Sequence, residues 1–350
     1  MEADDGARTR RGVRGRRLGL AVAAVLVLVP AAGALEQALE DLTFDARFPP
    51  RGAMVEVDGQ PLHLDCRGEG SPTVVLLSGL GGSSANLAVV HDALTAHRRT
   101  CAWDRAGTGW SPRREGPVDL GLDVEALERT LAVAGESGPF VAVAHSRGAW
   151  LVRAWHAAHP EALAGAVLVD AAHPAMLTEA CTPGCLPPPM PAWFDAFHAA
   201  LPWMSRLGPL RLMVWSGALP LLGAPHDLSD EDWWRLQQVT LRTRSIRTTA
   251  REAASWHDDA AWVDALPDLG DLPLTVVRAA APFEHPPSVT DAQVAAAWTT
   301  LQEAVARWST RSAHVVVEGA DHNALLTARA HAARVVEAAL APGAAGPTAR

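Results

Sequence analysis

Ser146 carries the chemistry that its neighbours make possible. It lies in Val141–Trp150, V-A-V-A-H-S-R-G-A-W. The alternating valines read as a buried strand, and Ala149, Leu151, Val152, Ala154 and Trp155 as one apolar helical face. A strand, a sharp turn bearing a serine and a helix behind it make a nucleophile elbow. Such a turn is tight, so the residues two before and two after the serine must be small. Ala144 and Gly148 are. A hydroxyl held at the tip can meet a histidine base. The helix N-terminus and the amide of Arg147 face the oxyanion that forms when a carbonyl is attacked. The pentapeptide alone is unspecific, since Gly81-Gly82-Ser83-Ser84-Ala85 fits it too and is read as a decoy. Its weight comes from three further segments in the right order.

Thr73–Leu77 is a continuous apolar run, the mark of a parallel strand buried on both faces. It ends in Ser78-Gly79-Leu80-Gly81-Gly82. Glycines there let the main chain bend and aim an amide at the serine, which is the work of an oxyanion loop. Leu80 is the expected donor, paired with Arg147.

The second segment is Cys101-Ala102-Trp103-Asp104-Arg105-Ala106-Gly107-Thr108-Gly109-Trp110-Ser111. It contains D-R-x-G-x-G-x-S, and here the chain resembles the α/β-hydrolase superfamily, over about residues 50–340. The P-P-x-G start and the L-H-L-x-C stretch ending at Cys66 add to the likeness. The resemblance implies a mostly parallel central sheet with helices on both faces and a helical cap. It also implies that Asp104 shapes the site rather than acting in it. Ala144 and Ala149 stand where the family prefers Gly. Arg147 stands where a smaller apolar residue is usual; its side chain would bind a substrate carboxylate or point outward.

The third segment, His314–Val317, is a short strand followed by Glu318-Gly319-Ala320-Asp321-His322-Asn323. The family carries its histidine on the loop after the last strand, which designates His322. Asp321, beside it, should point away. The acid is less direct. No Asp follows closely on the seventh strand, Leu274–Val277, where Glu284 is the near carboxylate and Asp291 sits at a helix start. Some branches take the acid from the end of the sixth strand, here Asp170 after Ala166–Val169. Asp170 is the expected acid and Glu284 the alternative. Ser146, Asp170 and His322 also follow the family's chain order.

Composition is that of an ordinary globular protein, with room for one large core and an insertion. The chain has 350 residues, 49% hydrophobic and 20% charged, with a net charge of −9. Nothing in that balance favours nucleic acid as a partner. Lys and Tyr are absent, read as codon bias. Residues 8–17 form an arginine-rich block, and Leu18–Leu35 follows without a charge. That is the layout of a signal peptide or membrane anchor, so the body is expected outside the cytoplasm, secreted or membrane-associated. The four cysteines agree. The family's strand order, 1-2-4-3-5-6-7-8, puts Cys66 beside Cys101, and Cys181–Cys185 spans a Pro-Gly turn. Both pairings suit an oxidising compartment.

The expected divisions are 1–35 leader or anchor, 36–50 linker, 51–174 first part of the core, 175–271 helical cap, 272–340 second part of the core and 341–350 disordered tail. Trp193, Phe194, Phe197, Trp203, Met204, Met213 and Trp215 crowd the cap. They are read as its packing core, with a substrate-lining or membrane-facing role as alternatives. The expected reaction is hydrolysis of a carboxylic ester or related small acyl substrate, with no metal and no cofactor. Amide hydrolysis, acyl transfer and a non-catalytic binding role are the alternatives. Epoxide hydrolysis and dehalogenation are disfavoured because they use an Asp at the elbow.

Overall fold

The computed structural model describes residues 3–177, 192–217, 226–280 and 290–343. Its frame is an eight-stranded sheet: β1 Ala53–Val57, β2 Gln60–Arg67, β3 Val74–Leu77, β4 Thr100–Trp103, β5 Phe140–His145, β6 Leu163–Val169, β7 Leu274–Ala279 and β8 Ser312–Val317. Their order is β1-β2-β4-β3-β5-β6-β7-β8. Only the β1–β2 and β2–β4 pairs are antiparallel. Asp58 and Gly59, both at positive φ, turn β1 into β2. Every residue of β3, β4, β5 and β7 is buried, which explains their unbroken apolar runs.

The helices run in chain order α1 Ala3–Arg47, α2 Ala88–Thr95, α3 Leu120–Val133, α4 Gly148–Ala158, α5 Ala192–Arg206, α6 Pro209–Trp215, α7 Asp230–Thr240, α8 Thr243–Ala254, α9 Trp256–Asp264, α10 Asp291–Ala306, α11 Ala324–Thr327 and α12 Arg329–Leu340. One face of the sheet packs on α3 and α4, where Trp150 and Trp155 are fully buried. The other packs on α2, α11 and α12. Emptying either Trp site with alanine would cost about 3–5 kcal/mol. Helices α5–α9 form an insertion between β6 and β7.

Residues 36–47 are not a linker. They continue α1, because Glu36–Arg47 is rich in helix formers and contains no Gly or Pro. Gln37 and Phe44 turn that helix inward, where both are buried. The crowded cap aromatics also divide. Phe197 and Met204 pack beside Leu201, Leu210, Leu241 and Ile246, whereas Trp203 and Trp215 are exposed. A disulfide joins Cys66 to Cys101, which face each other across β2 and β4. Cys181, Cys185, Glu284 and residues 344–350 lie outside the described residues.

Candidate active site

β5 delivers Ser146 in the left-handed region, at φ +52°. A non-glycine residue adopts that conformation only when its surroundings enforce it. The Ser146 amide donates to the Val169 carbonyl at 2.9 Å, and the Ser146 carbonyl accepts from the amides of Ala149 and Ala172, each at 3.1 Å. Two glycines make the room. A Cβ on Gly148 would fall 2.8 Å from the Leu77 carbonyl oxygen, and one on Gly79 would fall 2.9 Å from the Ser146 Cβ. The small residue before the elbow is needed for the same reason. Ala144 is fully buried between Leu77 and Leu168 on the flanking strands.

Asp170 follows β6 and is likewise at positive φ, +46°. Its side chain is fully buried, so every lone pair needs a partner. Oδ1 accepts from the Ala279 amide at 3.0 Å and from the Trp298 indole at 2.7 Å. Oδ2 lies 2.5 Å from Nδ1 of His322. A carboxylate only accepts, so the imidazole proton belongs on Nδ1 and Nε2 is left as the basic nitrogen. Asp321 is turned away, capping the amides of Asn323 and Ala324 at 2.9 and 2.7 Å.

His145, to which the sequence reading gave no role, supports this arrangement. Its Nε2–H donates to the His322 carbonyl at 3.0 Å, and the two rings stand 4.3 Å apart. Burial, with His322 adding to it, holds the His145 pKa well below its ordinary value, so the ring is neutral. The histidine immediately before the serine was visible in the sequence; its contact with the His322 loop was not.

Ser146 and His322 open onto one cavity of about 320 Å³, a size suited to a small-molecule substrate. The sheet side contributes Leu80 and Trp298. The insertion roofs it with Leu201, Leu236, Ile246 and Trp256.

The Ser78–Gly82 loop is held from below by charge. Arg105 donates to the carbonyls of Ser78 and Gly79, both at 2.7 Å, and to Glu252 Oε1 at 3.0 Å. Glu252, from α8, accepts from the Gly81 amide at 2.7 Å. Neither the Leu80 nor the Arg147 amide donates to another main-chain group among the described residues.

The Arg147 side chain does neither of the things expected of it. It is 2% exposed and reaches Asp259 at 2.6 Å and Glu252 at 3.6 Å, beneath the loop and away from the cavity. The cause is the inserted helices, which bring two carboxylates down to it. Burial alone would push the Glu252 carboxyl up; Arg105, Arg147 and the Gly81 amide outweigh it and hold the group ionised. Asp104 is occupied as a structural bracket, accepting from the amides of Ser84 and Trp110 at 2.6 and 3.0 Å and contacting His63 at 2.7 Å.

This architecture has relatives. An uncharacterized protein of Schizosaccharomyces pombe is 40% identical over 78 residues, 22% of this chain and 15% of its own length. The chain spans less than half the length of the curated relatives it matches. Cfl2 of Burkholderia cenocepacia is 26% identical with a TM-score of 0.61, covering 80% of this chain and 92% of its own. A thermophilic esterase from Thermogutta terrifontis is 19% identical with a TM-score of 0.58, covering 82% and 94%. The model for the alpha/beta hydrolase family matches residues 74–338. That span takes in the parallel strands, the elbow and the loop of His322, and the chain belongs to the alpha/beta hydrolase family.

Proposed function

We propose that the chain is a serine hydrolase that cleaves a carboxylic ester of an apolar acid through an acyl-enzyme on Ser146. One observation carries this reading: the buried Asp170 carboxylate engages His322 Nδ1 beside the cavity into which the elbow serine opens. His322 Nε2 takes the Ser146 proton as the oxygen attacks the ester carbonyl. The amides of Leu80 and Arg147 hold the oxyanion, and Asp170 stabilises the imidazolium. The proton then passes to the departing alcohol. Water, deprotonated by His322, cleaves the acyl-enzyme and releases the acid. Leu80, Leu201, Leu236 and Ile246 give the acyl group an apolar wall. The likeness to an esterase supports the fold that this chemistry needs.

A fluorophosphonate probe tests the reading, because only an activated serine reacts with it. Wild-type protein should be labelled on Ser146, and Ser146→Ala should lose both the label and activity on short p-nitrophenyl esters by several orders of magnitude. An unlabelled wild type would overturn it.

We further infer that α1 anchors the body at a membrane or directs its export. The helix is long and apolar enough from Val22 onward to cross a bilayer, and the Cys66–Cys101 bond suits an oxidising compartment. A topology reporter fused after residue 50 should read as exported; a cytoplasmic signal would refute this.

A further inference from the structure

The uncharged run Leu18–Leu35 is just long enough for a membrane span. At 1.5 Å per residue it reaches about 27 Å, against a hydrocarbon layer about 30 Å thick. A bilayer around it must come up to the place where the helix meets the body. Gly33 marks that place. It lies against the Leu207–Gly208 main chain, so close that a Cβ on it would fall 2.1 Å from the Leu207 carbonyl oxygen. Before Gly33, Val25, Val27, Leu28 and Val29 are exposed; after it, Gln37 and Phe44 are buried on the body. Glu36, the first charge past the run, is 3.5 Å from Arg211.

The α5–α6 turn that receives Gly33 exposes four large apolar side chains close together in sequence. Trp203 is 65% and Leu212 68% exposed, and Leu207 and Trp215 are exposed beside them. Arg206 lies over the Trp203 ring at 5.8 Å and Arg211 over Trp215 at 5.4 Å. Exposed indole rings suit the headgroup layer, and the exposed Arg206 over the Trp203 ring adds a charge for phosphate, whereas Arg211 is buried and held by Glu36, Gln37 and Gln238. Further back on α5, Leu201 faces inward and lines the active-site cavity.

We propose that the α5–α6 face, with Trp203, Leu207, Leu212 and Trp215, rests in the headgroup layer of the bilayer that α1 enters. The inference rests on the anchor reading of α1. It sets the orientation of the body, with the α5 wall of the cavity against the lipid.

No tryptophan lies in α1, so lipid-borne quenching reports on the body alone. The full chain is reconstituted in phosphatidylcholine vesicles whose acyl chains are brominated near the headgroup. Tryptophan fluorescence should be quenched, and Trp203→Phe with Trp215→Phe should lose most of the quenched fraction. Leu212→Asp should reduce it as well, while activity on a soluble short ester stays within about twofold, since exposed substitutions far from a site perturb little. Equal quenching in wild type and the double variant would overturn the proposal. So would protein that stays with the vesicles through a carbonate wash yet shows no quenching. Protection of Trp203 from acrylamide in a concentration-dependent dimer, without quenching by lipid, would assign the face to a second copy and overturn it too. Release by carbonate would overturn the anchor reading and this proposal with it.

Discussion

Two carboxylates are buried on either side of the Ser146 turn, and their partners differ in kind. Asp170 is met by an indole, an amide and an imidazole. Glu252 is met by two guanidinium groups and an amide. A guanidinium stays charged at any working pH, so Glu252 is neutralised permanently and its energy goes into holding the Ser78–Gly82 loop in shape. An imidazole gains and loses its proton, so the attraction at Asp170 rises when His322 becomes charged and falls when it does not. On the proposed reading, burial therefore does not separate a catalytic carboxylate from a structural one. The mobility of charge on its partner does.

The largest effect should come from Asp170→Asn. The asparagine oxygen can still accept from Trp298 and Ala279, but its amide would face Nδ1 and select the wrong tautomer of His322. A loss in kcat on the order of 10⁴-fold, with KM and melting temperature little changed, is expected from the serine protease precedent. Comparable loss of stability and activity would instead place Asp170 in the same class as Glu252.

Glu252→Gln should act the other way round. Leaving two buried cations short of a partner should cost about 3–5 kcal/mol of stability, read from denaturant unfolding. Loosening the Gly81 amide should lower kcat by roughly 10- to 100-fold, less than removal of an oxyanion donor outright. Intact stability would show that Arg105 and Arg147 are satisfied without it.

Arg147→Met separates side chain from main chain at one residue. Its amide remains, so kcat should fall less than about tenfold, while Asp259, left without its guanidinium, costs roughly 3 kcal/mol in unfolding; Glu252 keeps Arg105. A collapse of kcat at preserved stability would mean that the guanidinium itself serves the reaction.

The smallest effect belongs to Asp123, at the edge of the same charge cluster. Burial, against the opposing pull of Arg105 and Arg114, raises its pKa to about 6. The folded protein therefore binds this proton more tightly than the unfolded chain. The resulting stability is fully present below the unfolded carboxyl pKa near 3.8 and is lost as pH rises through about 6. Asp123→Asn should flatten the stability–pH curve between those values and gain on the order of 2 kcal/mol over wild type near neutral pH. An unchanged slope would remove Asp123 from the cluster's titration.

The sheet was legible because its strands are short, apolar and bounded by Gly and Asp. Strand order and the Cys66–Cys101 contact followed from the family likeness and agree with the structure. Ser146 and Asp170 directly follow strands and His322 stands on the loop after the last one, so their local patterns betrayed their positions, and the structure brings Asp170 to His322. Glu252 and the place of the Arg147 side chain were not readable. Arg147 and Glu252 are far apart in sequence, on a turn and on an inserted helix, and nothing local to either says that they meet. The helical continuation over 36–47 was missed for a different reason. The Pro pair at 49–50 marks where α1 stops, and the reading placed that break too early.

The Glu252 clamp bears on how freely such enzymes trade parts. In this chain the core is unfinished without its own insertion, since Arg105 beneath the Ser78–Gly82 loop and Arg147 after the serine find their counterions on α8 and α9. A chimera that kept the sheet and took a foreign insertion would inherit two stranded cations under its elbow serine. Transplanted specificity would have to bring along acids at the positions of Glu252 and Asp259, so the ancestry of the lid and that of the loop it covers are tied together.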